Sequence, residues 1–247
     1  MDIPRERFQL WGKLKAHKRR VDFARERIGK WLTRVEKPYV AFSTGKDSTC
    51  ILHLVREQKP GVQAVYFDAD CAFPESKEML EQTENVIVYP TIEPLLETFR
   101  RFGGFGGGAA LERETMRTTV YEPIKRLVTE YGFDGVCYGL RAQESHGRKM
   151  NARIRGAVFQ YKRDSLWACQ PIHDWTYNDV WAFIVSNDLD YCGVYDHMWD
   201  MPEEDQRLSY WAGETKRHWG RWAFLKRNYP ELFNRFVAEF PEVGLYV

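Results

Sequence analysis

The chain has 247 residues, a net charge of +1, 29% charged residues and 44% hydrophobic ones. That length suffices for one large α/β core, and the charge balance excludes a globally basic protein. No apolar run approaches the roughly 18 residues of a membrane span and the N-terminus carries no signal-peptide core, so the expectation is a cytoplasmic protein with no membrane partner.

Cys50, Cys71, Cys137, Cys169 and Cys192 are odd in number, widely spaced and form no C-x-x-C pair. This argues against a disulfide framework or a structural zinc site, and most of the five read as small buried hydrophobes.

From Arg5 to Arg34 the apolar residues recur at helical spacing, and the span holds eleven Lys or Arg against Glu6, Asp22 and Glu26, an excess of +8. Two readings stand side by side: a solvated helical face, or a contact with nucleic acid or another polyanion.

Tyr39 to Phe42 then reads as a strand, Ser43-Thr44-Gly45-Lys46-Asp47-Ser48 as a tight loop, and Cys50 to Val55 as a buried helix. A turn at a helix N-terminus presents unpaired N–H groups and the positive end of the macrodipole to one point, and Lys46 adds a compact charge. Such a site binds phosphate or sulfate. A Walker A loop is excluded, since that pattern needs glycine where Val40 stands and Ser or Thr where Asp47 stands. The segment resembles the PP-loop, S-[GT]-G-x-D-S, of the adenine-nucleotide alpha-hydrolase superfamily. That superfamily includes N-type ATP pyrophosphatases, the small subunit of sulfate adenylyltransferase, phosphoadenylyl-sulfate reductases and DNA-phosphorothioation sulfur-insertion proteins. The resemblance implies ATP with its pyrophosphate on Ser43, Thr44, Gly45, Lys46, Asp47 and Ser48, with Lys46 stabilising the departing pyrophosphate and Asp47 as partner of Mg²⁺. Thr44 stands where many relatives have glycine.

Gln63 to Phe67 reads as a second strand ending at Asp68. An acid there suits a ribose hydroxyl, or else Asp68 and Asp70 cap the following helix. Asp68, Phe73, Pro74 and Glu75 match the D-T-G-x-x-F-P-E-T segment of phosphoadenylyl-sulfate reductases. After a third strand at Asn85 to Tyr89, the run Phe102 to Gly108 lacks the context of an ordered phosphate turn and reads as a mobile loop. In Glu114 to Lys125, Thr115 and Met116 stand where iron-sulfur members carry a Cys-Cys pair, so no iron-sulfur cluster is expected; Met116 reads as core filler.

Gly135 to Gly139 is the fourth predicted strand, opening into Leu140-Arg141-Ala142-Gln143-Glu144-Ser145-His146-Gly147-Arg148. Forked cations and neutral hydrogen-bonding groups after a strand end suit a second anionic group. Gly139, Arg141, Glu144, Ser145 and Arg148 match the family element G-[LV]-R-x-x-[EQ]-S-x-x-R. Gly139 and Arg141 are therefore expected at the nucleotide, with Arg141 catalytic beside Lys46 and Asp47, and Gln143, Glu144, Ser145 and Arg148 at the substrate. Thr176 and Asp179 have capping-box spacing and start a helix that buries Val180, Trp181 and Ile184. The stretch Pro171 to Trp181 resembles the family's P-[IL]-x-x-W-x-x-x-D-[VI]-W signature and is read as structural.

No cysteine follows Cys192, so the terminal thiol of the reductases has no counterpart in the sequence given. From Trp211 to Phe240, Lys216, Arg217, Arg221, Lys226, Arg227 and Arg235 interleave with Trp219, Trp222, Phe224, Tyr229, Phe233 and Phe236. This is either the buried face of helices or a base-stacking surface.

The expected fold is α/β, a Rossmann-like three-layer sandwich with a mostly parallel sheet. It comprises a basic helical segment over 1–36, a PP-loop nucleotide-binding domain over 37–200 and a helical extension over 201–247. The family resemblance implies an enzyme that cleaves ATP between the alpha and beta phosphates to activate an acceptor in sulfur transfer or nucleic-acid modification. Adenine nucleotide, a nucleic acid, a sulfur-donor protein and a second copy of the chain are its candidate partners. Two alternatives stand beside it: a sulfonucleotide reductase drawing on Cys71 or a partner's thiol, and a non-enzymatic nucleotide- or nucleic-acid-binding subunit.

Overall fold

Pro38–Ala41 forms β1, and its Tyr39 and Val40 are fully buried, as expected of a strand covered on both faces. The other strands are β2 (Gln63–Asp68), β3 (Val86–Pro90), β4 (Gly135–Cys137), β5 (Val158–Gln160) and β6 (Trp167–Cys169). They make one sheet of order β3-β2-β1-β4-β6-β5, with helices on both sides. β1 runs parallel to β2 and β4, β4 runs parallel to β6, and β5 is an antiparallel edge strand. The order reverses direction at β1: β2 lies to one side of it and β4 to the other, so a crevice opens beyond the carboxyl ends of β1 and β4. The computed structural model describes residues 4–104, 108–161, 165–208 and 216–247, with the backbone alone at 216–220 and 246.

The described chain forms two compact units. The first comprises 1–66, 73–89 and 126–208, which holds most of the sheet. Its N-terminal span is not one helix but two, α1 (Arg5–Gly12) and α2 (Lys15–Leu32), because Leu14 is extended and starts the second. Both are anchored by Asp179 in α9 (Tyr177–Ser186). The fully buried carboxylate of Asp179 accepts from Trp11 Nε1 at 2.9 Å, from His17 Nδ1 at 3.1 Å, from Arg20 at 3.2 Å and from the Thr176 amide at 2.8 Å. Burial alone raises the pKa of such a carboxyl, but these donors hold it well below the usual carboxylate range. Trp175 and Trp181 are core, and Thr176 with Asp179 forms the expected capping box.

The basic residues of the N-terminal helices mostly meet acids within the fold. Arg7 pairs with Glu203 at 3.1 Å, Arg25 with Glu57 at 2.8 Å, Arg27 with Asp174 at 2.6 Å and Lys30 with Glu26 at 2.6 Å. This favours the solvated, ion-paired helix over a dedicated polyanion face.

The second unit comprises 67–72, 90–125 and 209–247. It contains α5 (Leu95–Arg101), α6 (Gly108–Met116), a π-helical turn (Arg117–Tyr121), α10 (Lys216–Asn228) and α11 (Pro230–Glu239). Phe99, Leu111, Leu225, Phe236 and Val243 are its most buried apolar residues, and Arg235 pairs with Asp70 at 2.7 Å. Trp222, Phe224, Tyr229, Phe233 and Phe236 are buried, so these tail aromatics are core and not a stacking surface. Met116 is half-buried and Leu111 fills the interior instead. Trp211, Phe105, Gly106 and Gly107 lie outside the described residues, as do the side chains of Lys216, Arg217 and Trp219. Among the described residues no helix is long and apolar enough to cross a membrane.

Candidate active site

The loop after β1 enters α3 (Lys46–Gln58) through Gly45, and no side chain caps that helix. The chain is turned by Thr44, whose φ of 57° lies in the left-handed region that a β-branched residue rarely occupies. Its hydroxyl holds the turn, donating to Ser43 O at 2.7 Å and pairing with the Ser76 hydroxyl at 3.0 Å. Ser48 closes the loop from inside: its hydroxyl donates to Gly45 O at 2.8 Å and accepts from the Ser43 amide at 3.2 Å. The Lys46 amide donates to the Tyr195 hydroxyl at 3.1 Å, whereas the amides of Gly45, Asp47 and Ser48 find no acceptor among the described residues. These are the donors of an anion cradle at a helix start.

Gly139, just past β4, fixes the other wall. A Cβ there would sit 2.8 Å from the Asp47 carbonyl carbon and 3.0 Å from the Ser48 amide nitrogen, so glycine alone allows this close backbone approach. It brings Arg141 against the loop. Arg141, itself buried, donates from Nε to Asp47 Oδ1, and from its terminal nitrogen to Gln143 Oε1 at 3.0 Å. Gln143 Oε1 also accepts from the Tyr177 amide at 3.0 Å. Glu144 takes the Arg148 guanidinium and lies 4.0 Å from Arg207. Ser145 accepts from the Arg148 amide at 3.2 Å and caps α8 (His146–Arg155). In this arrangement Gln143, Glu144 and Ser145 orient arginines and start a helix.

Lys46 is 1% exposed and turned inward. Its ammonium donates to Gln206 O at 2.9 Å, lies 3.3 Å from Asp47 Oδ2 and faces the Tyr195 and Tyr177 rings at 5.3 and 5.9 Å. Burial pulls its pKa below the ordinary lysine value, against the opposing pull of Asp47. For Asp47, burial pushes upward, but Lys46 and Arg141 outweigh it and keep the carboxyl below its ordinary value. Both Asp47 oxygens thus already face cations, and among the described residues no group of three His, Cys, Asp or Glu surrounds a metal position. A divalent ion held by Asp47 does not fit this arrangement unless one of the two cations withdraws. Lys46, Arg141, Arg148 and Arg207 against Asp47 and Glu144 leave a surplus of +2 around the loop, the electrostatics of an anion site.

Asp68 ends β2, accepts from the Asp70 amide at 2.9 Å and belongs to the second unit. The remaining predicted residues come together in the first unit. Tyr177, Tyr195, Gln206 and Arg207 were not anticipated; all four lie far along the chain, and no local motif marks them. The five cysteines are free and buried. Burial pushes the Cys71 thiol up to about 12 and raises Cys50, Cys137 and Cys192 above their ordinary values, leaving these four without thiolate character.

Residues 37–244 match the family model described as the phosphoadenosine phosphosulfate reductase domain. The chain is 26% identical over 211 residues to adenosine 5'-phosphosulfate reductase 2 of Bacillus subtilis, covering 77% of this chain and 86% of that one. It is also 26% identical to sulfate adenylyltransferase subunit 2 of Psychromonas ingrahamii, covering 65% of this chain and 60% of that protein. Among solved structures, phosphoadenylyl-sulfate reductase from Candida auris superposes with a TM-score of 0.53 at 18% identity, over 70% of this chain and 83% of its own. That likeness shows the fold.

Proposed function

Because the chain belongs to the phosphoadenosine phosphosulfate reductase domain family, we propose that it is a PP-loop enzyme that binds ATP and cleaves it between the alpha and beta phosphates. The acceptor so activated belongs to sulfur transfer or nucleic-acid modification. The observation that carries the reading is the unpartnered amide set of Gly45, Asp47 and Ser48 at the β1 and β4 switch point, backed by a cationic surplus. In this reading the amides receive the beta and gamma phosphates, and preorganised donors stabilise charge on the departing pyrophosphate. Arg141 already holds Asp47 through Nε from a buried position and takes the alpha-phosphate once the phosphates arrive. Lys46 acts from behind the loop, as a buried charge that keeps Asp47 ionised. Mg²⁺ bound with the nucleotide would supply charge neutralisation at the phosphates.

A second reading, reduction of a sulfonucleotide, has a named reductase among the relatives to support it. The buried Cys71, with its thiol pushed up to about 12, speaks against this chain as the source of the nucleophile.

Calorimetric titration with ATP, adenylyl sulfate and phosphoadenylyl sulfate, on the wild type and on Arg141→Lys, separates these readings. Tightest binding of ATP, weakened at least tenfold by the loss of the guanidinium fork, is the expected result. Binding of a sulfonucleotide without ATP would transfer the assignment to the second reading.

A further inference from the structure

Helix α8 grows directly out of the anion site and buries none of its residues. Its sequence from His146 to Arg155 carries Arg148, Lys149, Arg153 and Arg155 and no Asp or Glu. Arg148 is committed to Glu144, and Arg155 lies over the Phe159 and Tyr161 rings at 5.2 and 5.8 Å. Lys149 and Arg153 are exposed, and neither meets an acid among the described residues. They stand four apart, hence on one face about 6 Å from each other, with Arg148 and Arg155 on the adjoining face two turns apart. Met150 and Ile154 lie beyond them, also four apart, 40% and 76% exposed. The contrast with α1 and α2 is the informative one, since most arginines there end on acids of the same fold.

We propose that α8 is the docking surface for a single strand of nucleic acid, whose phosphates run along Lys149 and Arg153 while bases rest on Met150 and Ile154. A cationic strip that meets no acid among the described residues complements a phosphodiester chain, and the exposed apolar side chains beside it offer base faces a contact away from water. An anionic membrane fits less well: a ten-residue helix with two exposed apolar residues offers little to bury among lipid chains. The position gives the contact a purpose. Arg148 shares Glu144 with Arg141, and Arg141 shares Asp47 with Lys46, so a strand on α8 is connected through side chains to the loop. Only that purpose rests on the proposed nucleotide chemistry; the contact itself rests on the charge pattern.

The test is fluorescence anisotropy with short labelled single-stranded DNA and RNA of one mixed sequence, titrated into the full chain from about 50 to about 200 mM salt. Wild type is expected to bind at least one of the two, with affinity falling log-linearly in salt. K149E/R153E is expected to lose at least tenfold at the lowest salt, and K149Q/R153Q to lower the salt slope by about 1.4, two phosphate contacts' worth. K15E/K18E on α2 serves as the control and should matter less. No oligonucleotide binding by wild type, equal binding by the α8 variants, a larger loss in the α2 control, or binding to phosphatidylserine vesicles in place of oligonucleotides would each overturn the proposal. ATP titrations on the same proteins keep the two claims apart: the α8 variants should bind ATP as wild type does. Failure of wild type to bind ATP counts against the nucleotide reading alone.

Discussion

At the scale of single residues, the site depends on a backbone contact as much as on charges. Gly139 leaves no room for a Cβ against the Asp47 carbonyl and the Ser48 amide, two atoms of the turn that presents the anion cradle. Gly139→Ala must therefore push β4 and the start of α3 apart by several tenths of an ångström. We expect it to cost about 1–3 kcal/mol of stability, as overpacking does, and to weaken ATP binding out of proportion. Thermal unfolding and calorimetry on the same sample check this; unchanged binding would mean that the amides of this turn do not hold the phosphates. Thr44 makes the companion point about legibility. Its place in a PP-loop pattern was readable from the sequence, but its left-handed backbone and its bond to Ser76 were not. Lys46 shows the limit more sharply. A lysine at the start of a phosphate loop reads as a ligand-facing charge, yet the Tyr195 ring and the Gln206 carbonyl, 149 and 160 residues away, draw its ammonium inward. Local spacing carries no information about such partners.

At the scale of elements, the helices α1 and α2 are tied to α9 by one carboxylate. Asp179 is fully buried and accepts from Trp11, His17, Arg20 and Thr176, so removing it strands several donors at once. Asp179→Ala is expected to destabilise the chain by about 3–5 kcal/mol, as breaking a buried charged pair does, read as a fall in the urea midpoint. The pH dependence follows in sign. The folded pKa of Asp179 lies well below its unfolded value near about 3.9, so its contribution is fully present above that pH and is lost as the pH falls toward the folded value. Wild type should therefore lose stability below about pH 4 more steeply than Asp179→Ala. Parallel acid titration curves for the two proteins would contradict the assignment. The capping box of α9 and the existence of the first four strands along the chain were legible because they rest on local periodicity and short-range capping, whereas their order in the sheet was not. The break at Leu14 was not legible, because Leu14 keeps the helical apolar spacing while its backbone is extended. The pair β5 and β6 was not either, since three-residue strands carry almost no periodic signal; β4, equally short, was legible through the run Gly135 to Gly139 that opens the arginine-bearing family element.

At the scale of the whole molecule, two properties bear on chemistry. The described chain divides into two compact units, and the second draws 67–72, 90–125 and 209–247 together from distant stretches. A linear scheme of 1–36, 37–200 and 201–247 follows sequence continuity and has no means of seeing such a grouping. All five thiols are buried, and burial raises those of Cys50, Cys71, Cys137 and Cys192. Iodoacetamide at mild alkaline pH should therefore label the native protein far more slowly than the urea-unfolded chain, and Cys71→Ser should bind nucleotide as wild type does. Rapid labelling of Cys71 in the native state would restore it as a candidate nucleophile.

The central claim is that main-chain amides at the start of α3 receive the phosphates, and an amide-resolved NMR titration with ATP addresses it most directly. Addition of ATP should shift the Gly45, Asp47 and Ser48 amide protons downfield, saturating together with one affinity, as amides do on accepting a charged oxygen. Inorganic pyrophosphate should move the same resonances. Shifts confined to other parts of the chain, with these three amides unmoved at saturating ATP, would contradict the account.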